Sequence, residues 1–342
     1  MLALKKSRQA PKFPAHIRYL LTQVWLQKHR WGLRLLHENK PDALSFVVNS
    51  FFHISLLTML DRSSNVIGMN KLSTDERKQV VAALVEGNSL RAVTRMTGVH
   101  RTTVMKLLVD LGAACSEYQD KAFRNLSCKR IQCDGIWSFI GAKEKNCTPE
   151  MKKDGAGDVW TWVALDADSK LVPCWFIGER HAGCAFHFLS DLKDRLAHRV
   201  QLTSDGHRAY FHAVEDVFGT DIDFAMLQKI YGAAPEGPQV RYSPAICMGA
   251  RKAVITGKPD FSHISTSYVE RQNLTMRMSM RRFTRLTNGF SKKVENLEAA
   301  VALHYMHYNF CRIHQSLRVT PAMEANVSDH IWSLDEVIAL LD

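Results

Sequence analysis

The stretch from residue 129 to 206 constrains the fold most, because its pattern admits few arrangements. Lys129–Ile140 alternates like a strand and carries a lone acid, Asp134, in its middle. Val159–Asp166 reads as a second strand, Asp168-Ser169 as a hairpin turn and Leu171–Ile177 as a third strand. Phe188, Leu189, Leu192 and Leu196 recur at helical spacing, which predicts a helix over Cys184–Leu196. Arg199–Gly206 reads as a short buried strand ending in Asp205-Gly206, and a further helix begins near His207. A three-stranded meander, a helix and a strand returning beside the first predict an α/β fold, a mixed sheet with helices on its faces. In that order the middle of the first strand and the end of the fourth lie side by side, so Asp134 and Asp205 converge.

Two converging carboxylates repel, and one takes a proton unless a cation intervenes. Mg²⁺ suits that role, being a hard ion that prefers carboxylate, water and phosphate oxygen. A third carboxylate completes such a site, and a helix over Ser267–Arg277 offers one. Glu270, Asn273 and Arg277 fall at i, i+3 and i+7, on one face. Arg281, Arg282 and Arg285 extend a basic run beyond it. The plain alternative is a solvated, salt-bridged surface helix.

Ahead of the sheet lies a helical head. Ser73 three residues before Glu76 is a capping box, followed by an apolar stripe at Val80, Val81, Leu84 and Val85. Ser89 caps a second helix to Met96, and Thr97-Gly98-Val99 forms a tight turn. A third helix is expected from about His100 to Leu111, ended by Gly112. This is the pattern of a helix-turn-helix, whose last helix leads into the DNA major groove with its N-terminal residues, here His100, Arg101, Thr102, Thr103 and Lys106. A three-helix bundle that binds no DNA is the alternative.

The net charge of +11 favours a polyanionic partner, nucleic acid before membrane. Residues 1–68 hold ten Lys or Arg against three acids, so most of that surplus belongs to the first fifth of the chain. Ala43–Leu60 is 18 residues without a charge, at the threshold of a membrane span, yet it contains Asn49 and His53. We read 1–68 as a basic extension, either a mobile arm or an upstream in-frame segment before a start at Met69. The eight cysteines show no metal or redox spacing and are expected as free thiols.

Four passages, taken together and in order, resemble the insertion-sequence DDE transposases of the retroviral-integrase, ribonuclease-H-like superfamily. They are Ile131-Gln132-Cys133-Asp134, Leu202-Thr203-Ser204-Asp205-Gly206, Tyr268-Val269-Glu270-Arg271-Gln272-Asn273 with Arg277, and Tyr308-Asn309-Phe310-Cys311-Arg312-Ile313-His314 leading to Thr320-Pro321-Ala322. The resemblance spans about residues 70–342. It implies a ribonuclease-H-like mixed five-stranded sheet flanked by helices and preceded by an all-α helix-turn-helix domain at 69–115. The catalytic domain would occupy 125–330. It further implies Asp134, Asp205 and Glu270 as a catalytic triad holding two Mg²⁺ ions, with Mn²⁺ as a substitute. The 64 residues between Asp205 and Glu270 exceed what such cores need, and 220–263 has the Gly- and Pro-rich composition of an insertion. Asp260, in a turn, is a lesser rival for the third acid.

The DNA-contacting candidates are Arg101, Thr102, Thr103 and Lys106 in the head, with Arg271, Asn273, Arg277 and Arg281 on and after the Glu270 helix. The implied activity is cleavage at the ends of an insertion sequence and 3′-hydroxyl strand transfer into target DNA. A homodimer or larger assembly is implied, as is a cytoplasmic, nucleoid-associated location without a membrane. Rival readings are a DNA-binding regulator on an inactive core and a ribonuclease-H-like nuclease. His304, His307 and His314 are either ligands or packing residues, and Asn309 and Arg312 are expected to brace the core. Trp137, Trp160, Trp162 and Trp175 are read as sheet core, and Lys292-Lys293 as a DNA contact or a solvated helix start.

Overall fold

The computed structural model describes residues 71–232, 246–284 and 287–342. The N-terminal segment 1–68, Met69 and Arg285 lie outside the described residues. Residues Leu72–Asp342 form one compact unit.

Three helices open it: α1 (Thr74–Val85), α2 (Leu90–Thr97) and α3 (Arg101–Ala122). The capping box closes as the sequence requires, with Glu76 N–H donating to Ser73 Oγ at 3.2 Å and Ser73 N–H to Glu76 Oε2 at 2.8 Å. Ser89 Oγ accepts from Ala92 N–H, and Gly98 ends α2 at φ +74°, a left-handed conformation that glycine adopts without strain. The α3 helix differs from expectation by running eleven residues past Leu111, straight through Gly112. That glycine serves close approach: a Cβ there would sit 2.5 Å from the Cα and carbonyl oxygen of Ala299. Ala299 belongs to α7 (Val294–Met306).

The sheet is built from β1 (Arg130–Ile140), β2 (Gly157–Asp166), β3 (Cys174–Gly178), β4 (Gln201–Asp205), β5 (Asp223–Tyr231) and β6 (Cys247–Thr256). Their order is β3-β2-β1-β4-β5-β6. The first three pair antiparallel, β4 and β5 add in parallel, and β6 returns antiparallel to β5. The first five strands have the ribonuclease-H-like arrangement. Among the described residues the sheet has six strands rather than five, and the added one comes from the segment read as an insertion.

The third strand begins later than its apolar run suggests, and Asn309 explains this. Its Nδ2 donates to the Val172 carbonyl at 3.1 Å and its Oδ1 accepts the Val172 N–H at 3.0 Å, so this backbone is satisfied by a side chain instead of a neighbouring strand. Asn309 is wholly buried and braces the core as expected.

Helices α4 (Ala182–Arg195), α5 (Ala209–Phe218) and α6 (Ser267–Ser279) complete the layers with α7. Trp162 is buried and meets Tyr210 of α5 edge-on at 5.3 Å, while Trp137, Trp160 and Trp175 are only half-buried. Phe123 stacks on Phe310 at 5.6 Å, sealing the end of α3 onto the segment that follows α7. All eight cysteines are unpaired. No helix among the described residues is long and apolar enough to cross a membrane.

Candidate active site

The sheet register places the first two acids. β1 and β4 run parallel with Cys133 opposite Ser204, so Asp134 and Asp205 stand one position further along two adjacent strands. Gly206 follows at the strand end, where a Cβ would press on the Gln228 side chain at 3.2 Å. The third acid arrives on α6, whose first turn is tied to β1. Gln132 Oε1 accepts from the backbone N–H groups of Tyr268 at 2.9 Å and Val269 at 3.2 Å. These bonds satisfy amide groups that a helix N-terminus leaves open, and they fix α6 against the strand that carries Asp134.

Asp134, Asp205 and Glu270 consequently line one cleft of about 670 Å³, together with Arg180, Lys229 and Arg277. Each carboxylate has defined partners. Asp134 accepts from its neighbour Gly135 N–H at 2.8 Å and from Asn273 Nδ2 at 2.8 Å. Asp205 accepts from Arg180 at 2.9 Å and from His207 N–H at 3.1 Å. Glu270 accepts from Thr266 Oγ1 at 2.7 Å and pairs with the Lys229 ammonium.

Burial pushes the Asp134 carboxyl up to about 6, and the Asp205 charge adds to the rise against the two hydrogen bonds. The cleft therefore lacks positive charge at Asp134 although two cations sit at its other acids. Burial is the largest single influence on the Lys229 ammonium and draws it down, but the bond to Glu270 together with the charges of Glu270, Tyr231 and Cys247 makes the net direction upward. The His207 imidazole is lowered by burial and by Arg180, against the pull of Asp205.

The donor chemistry suits a divalent hard cation: the acidic ligands offer oxygen only, and the raised Asp134 is a carboxyl that a cation would ionise. Arg180 and Lys229 take carboxylate oxygens that an ion would otherwise share. Among the described residues no three His, Cys, Asp or Glu side chains gather closely enough to enclose an ion.

The remaining sequence candidates divide between two places. Asn273 and Arg277 join the carboxylates in the cleft, while Arg271 is exposed on α6 outside its lining. Arg101, Thr102 and Arg281 line a separate cavity at the head, and Thr103 and Lys106 sit on the same first turns of α3 without lining either space. Asp260 lies outside the cleft lining, where it caps the turn Phe261–His263 and is held down to about 2 by Ser262 and His263. His304 is buried on α7, outside the cleft.

Sequence reasoning missed Arg180, Lys229, Thr266 and Gln132. Arg180 follows β3 by two residues and Lys229 lies on β5, so only the strand order brings them to the acids. Gln132 alone left a trace, as a polar residue between Ile131 and Cys133, two positions before Asp134, and it is buried.

No protein-family model matches the chain, and no curated protein matches it in sequence. Among solved structures it is similar to the "Mos1 transposase paired-end complex with left transposon end", at 12% identity and a TM-score of 0.20, over 56% of this chain and 74% of that one. It is also similar to a "piggyBac transposase synaptic complex with hairpin DNA", at 11% identity and a TM-score of 0.34, over 83% of this chain and 73% of the other.

Proposed function

We propose that the chain is a DNA transposase of the DDE type. The observation that supports this is the convergence of Asp134, Asp205 and Glu270, from β1, β4 and α6, in one cleft walled by Arg180, Lys229 and Arg277. A cleft that is acidic at its centre and basic at its wall suits a phosphodiester held over divalent cations.

Asp134, Asp205 and Glu270 would hold two Mg²⁺ ions, or Mn²⁺, which when bound would supply the charge stabilisation that displacement at phosphorus needs. The chain's own residues position the rest. Asn273 and the Gly135 N–H hold the Asp134 carboxylate in place, and Thr266 orients Glu270. Arg180 and Lys229 exchange their carboxylate partners for phosphate oxygens, and Arg277 faces the same strand from α6. Water attacks the phosphodiester at the element end, breaking its bond to the 3′ oxygen and freeing a 3′-hydroxyl and a 5′-phosphate; that hydroxyl then attacks a target phosphodiester in the same cleft, joining to its phosphorus and releasing the target's own 3′-hydroxyl. Arg101, Thr102, Thr103 and Lys106, on the first turns of α3, read the terminal repeats of the insertion sequence. Two ends require two copies, so the working assembly is at least a homodimer, acting with its DNA in the cytoplasm at the nucleoid.

A second reading, a DNA-binding regulator on an inactive core, draws on the Lys229–Glu270 ion pair and on the absence of a three-carboxylate cluster among the described residues. One experiment separates the two. The full chain is incubated with DNA carrying its gene's flanks, in Mg²⁺ or Mn²⁺, beside Asp134→Asn and Asp205→Asn. Cleavage at the element ends, lost in both variants, is expected. Binding without cleavage in the unaltered chain refutes the transposase and leaves the regulator.

A further inference from the structure

A second cavity, of about 740 Å³, lies where the three opening helices meet the core. Its described wall combines the α1–α2 turn, the first turn of α3, residues 279–282 and 288–292, and one face of α7. Five cations line it, Arg91, Arg101, Arg281, Arg282 and Lys292, and its described wall contains no Asp or Glu. None of the five has an acidic partner among the described residues. Like charges gathered around one space repel and do nothing for stability by themselves.

Two buried groups sharpen the point. Arg282 is half-buried, donates to Ser291 Oγ, and is drawn down to about 10 by burial alone. His304 is only 6% exposed, lines the cavity, and its Nε2 has no hydrogen-bond partner among the described residues. A buried polar nitrogen without a partner calls for an explanation in a folded protein. The N-terminus of α3, a helix of 22 residues, adds its positive end through Arg101 and Thr102.

The ligand chemistry follows from this wall. Planar guanidinium groups match the oxygens of a phosphate in pairs, and a space of this volume takes more than one phosphate. Its position follows from α6, which is shared by both spaces: Glu270 and Arg277 line the carboxylate cleft, and Ser279 at its end lines this cavity. Nine residues of helix rise about 14 Å, on the order of four nucleotides at about 3.4 Å each along a strand. A single strand therefore reaches both.

We propose that this cavity binds phosphodiester groups of the DNA strand that runs between the opening helices and the carboxylate cleft. The proposal rests on the DNA-processing reading above. It assigns Arg91, Arg282, Lys292 and His304 to a backbone grip in the cavity that Arg101 and Thr102 also line.

The test uses the full chain and a fluorescein-labelled 30-base-pair DNA duplex, followed by anisotropy between about 50 and 300 mM KCl. Arg91→Ala with Lys292→Ala removes two exposed cavity cations, and Lys145→Ala with Lys153→Ala removes two exposed cations elsewhere. The cavity variant is expected to bind about tenfold more weakly, with a slope of log affinity against log salt shallower by about one to two, while the control moves far less. Equal effects of the two variants overturn the proposal, because they describe a diffuse field without a site. Undiminished duplex binding by the cavity variant also overturns it. If inorganic phosphate then raises the melting temperature of the unaltered chain but not of that variant, the cavity holds a free anion instead. The strand-cleavage assay keeps the two readings apart. Cleavage with equal salt slopes sinks only the grip, whereas unequal slopes without cleavage sink only the transposase.

Discussion

Replacing Asp134 by Asn removes a charge that the folded protein disfavours. Burial first, and Asp205 second, push this carboxyl from 3.8 up to about 6. That displacement corresponds to about 3 kcal/mol. The sign follows from its direction. A raised carboxyl prefers the folded state while protonated, so its contribution is full below about 3.8 and is lost as pH rises through about 6. At pH 8 the ionised Asp134 thus works against folding, and the amide does not. The variant gives up about 1 kcal/mol in the strength of two hydrogen bonds, from Gly135 N–H and Asn273. Asn273 adapts by turning its amide, because its Oδ1 is buried with no partner to lose. The net expectation is a variant about 2 kcal/mol more stable at pH 8, or about 4–8 °C in melting temperature, with a difference near zero at about pH 4.5. Thermal unfolding in a chelator at both pH values measures this. Adding Mg²⁺ at pH 8 should then stabilise the unaltered chain and leave the variant unmoved. A shift that is the same at both pH values, or a variant destabilised at pH 8, refutes the electrostatic reasoning about the cleft.

Lys229→Met frees Glu270 from its ammonium partner, and Mn²⁺ binding by calorimetry should tighten about two- to fivefold, the worth of a partly exposed ion pair; unchanged or weaker binding counts against competition between lysine and ion. Gly112→Ala gains about 1 kcal/mol of helix propensity yet should destabilise the fold by about 1–3 kcal/mol in denaturant titration, since the new methyl meets Ala299 backbone atoms at 2.5 Å. A neutral or stabilising result there would mean that α3 and α7 separate at little cost. Asn309→Ala strands the Val172 N–H and carbonyl in the interior and should cost about 2–4 kcal/mol by the same assay.

Much of the cleft was legible because its acids interrupt regular patterns. Asp134 is the lone acid in the middle of an alternating strand, Asp205 ends a short strand before a glycine, and Glu270 shares a helical face with Asn273 and Arg277. What stayed hidden depends on partners far apart in the chain. Nothing near Arg180 or Lys229 announces a carboxylate, since each meets its acid only through the order of strands. The sixth strand escaped for a different reason. β6 is an edge strand exposed along most of its length, so it carries no alternation of buried and solvated residues, and the Gly and Pro residues around it read as loop. Gly112 misled because the same residue type ends helices and lets them touch, and only the facing Ala299 distinguishes the two uses.

The unbroken course of α3 bears on how such a protein changes over generations. A head joined by a loose tether can be exchanged like a cassette, its reach set by tether length. Here the helix that starts at Arg101 continues to Ala122, about 33 Å away, and its middle is pressed against α7. Cutting between 115 and 125 would sever a helix and strip cover from Leu111 and Cys115, both fully buried. The opening helices and the sheet therefore share one core, and exchanging the head as a unit would break α3 and its contact with α7.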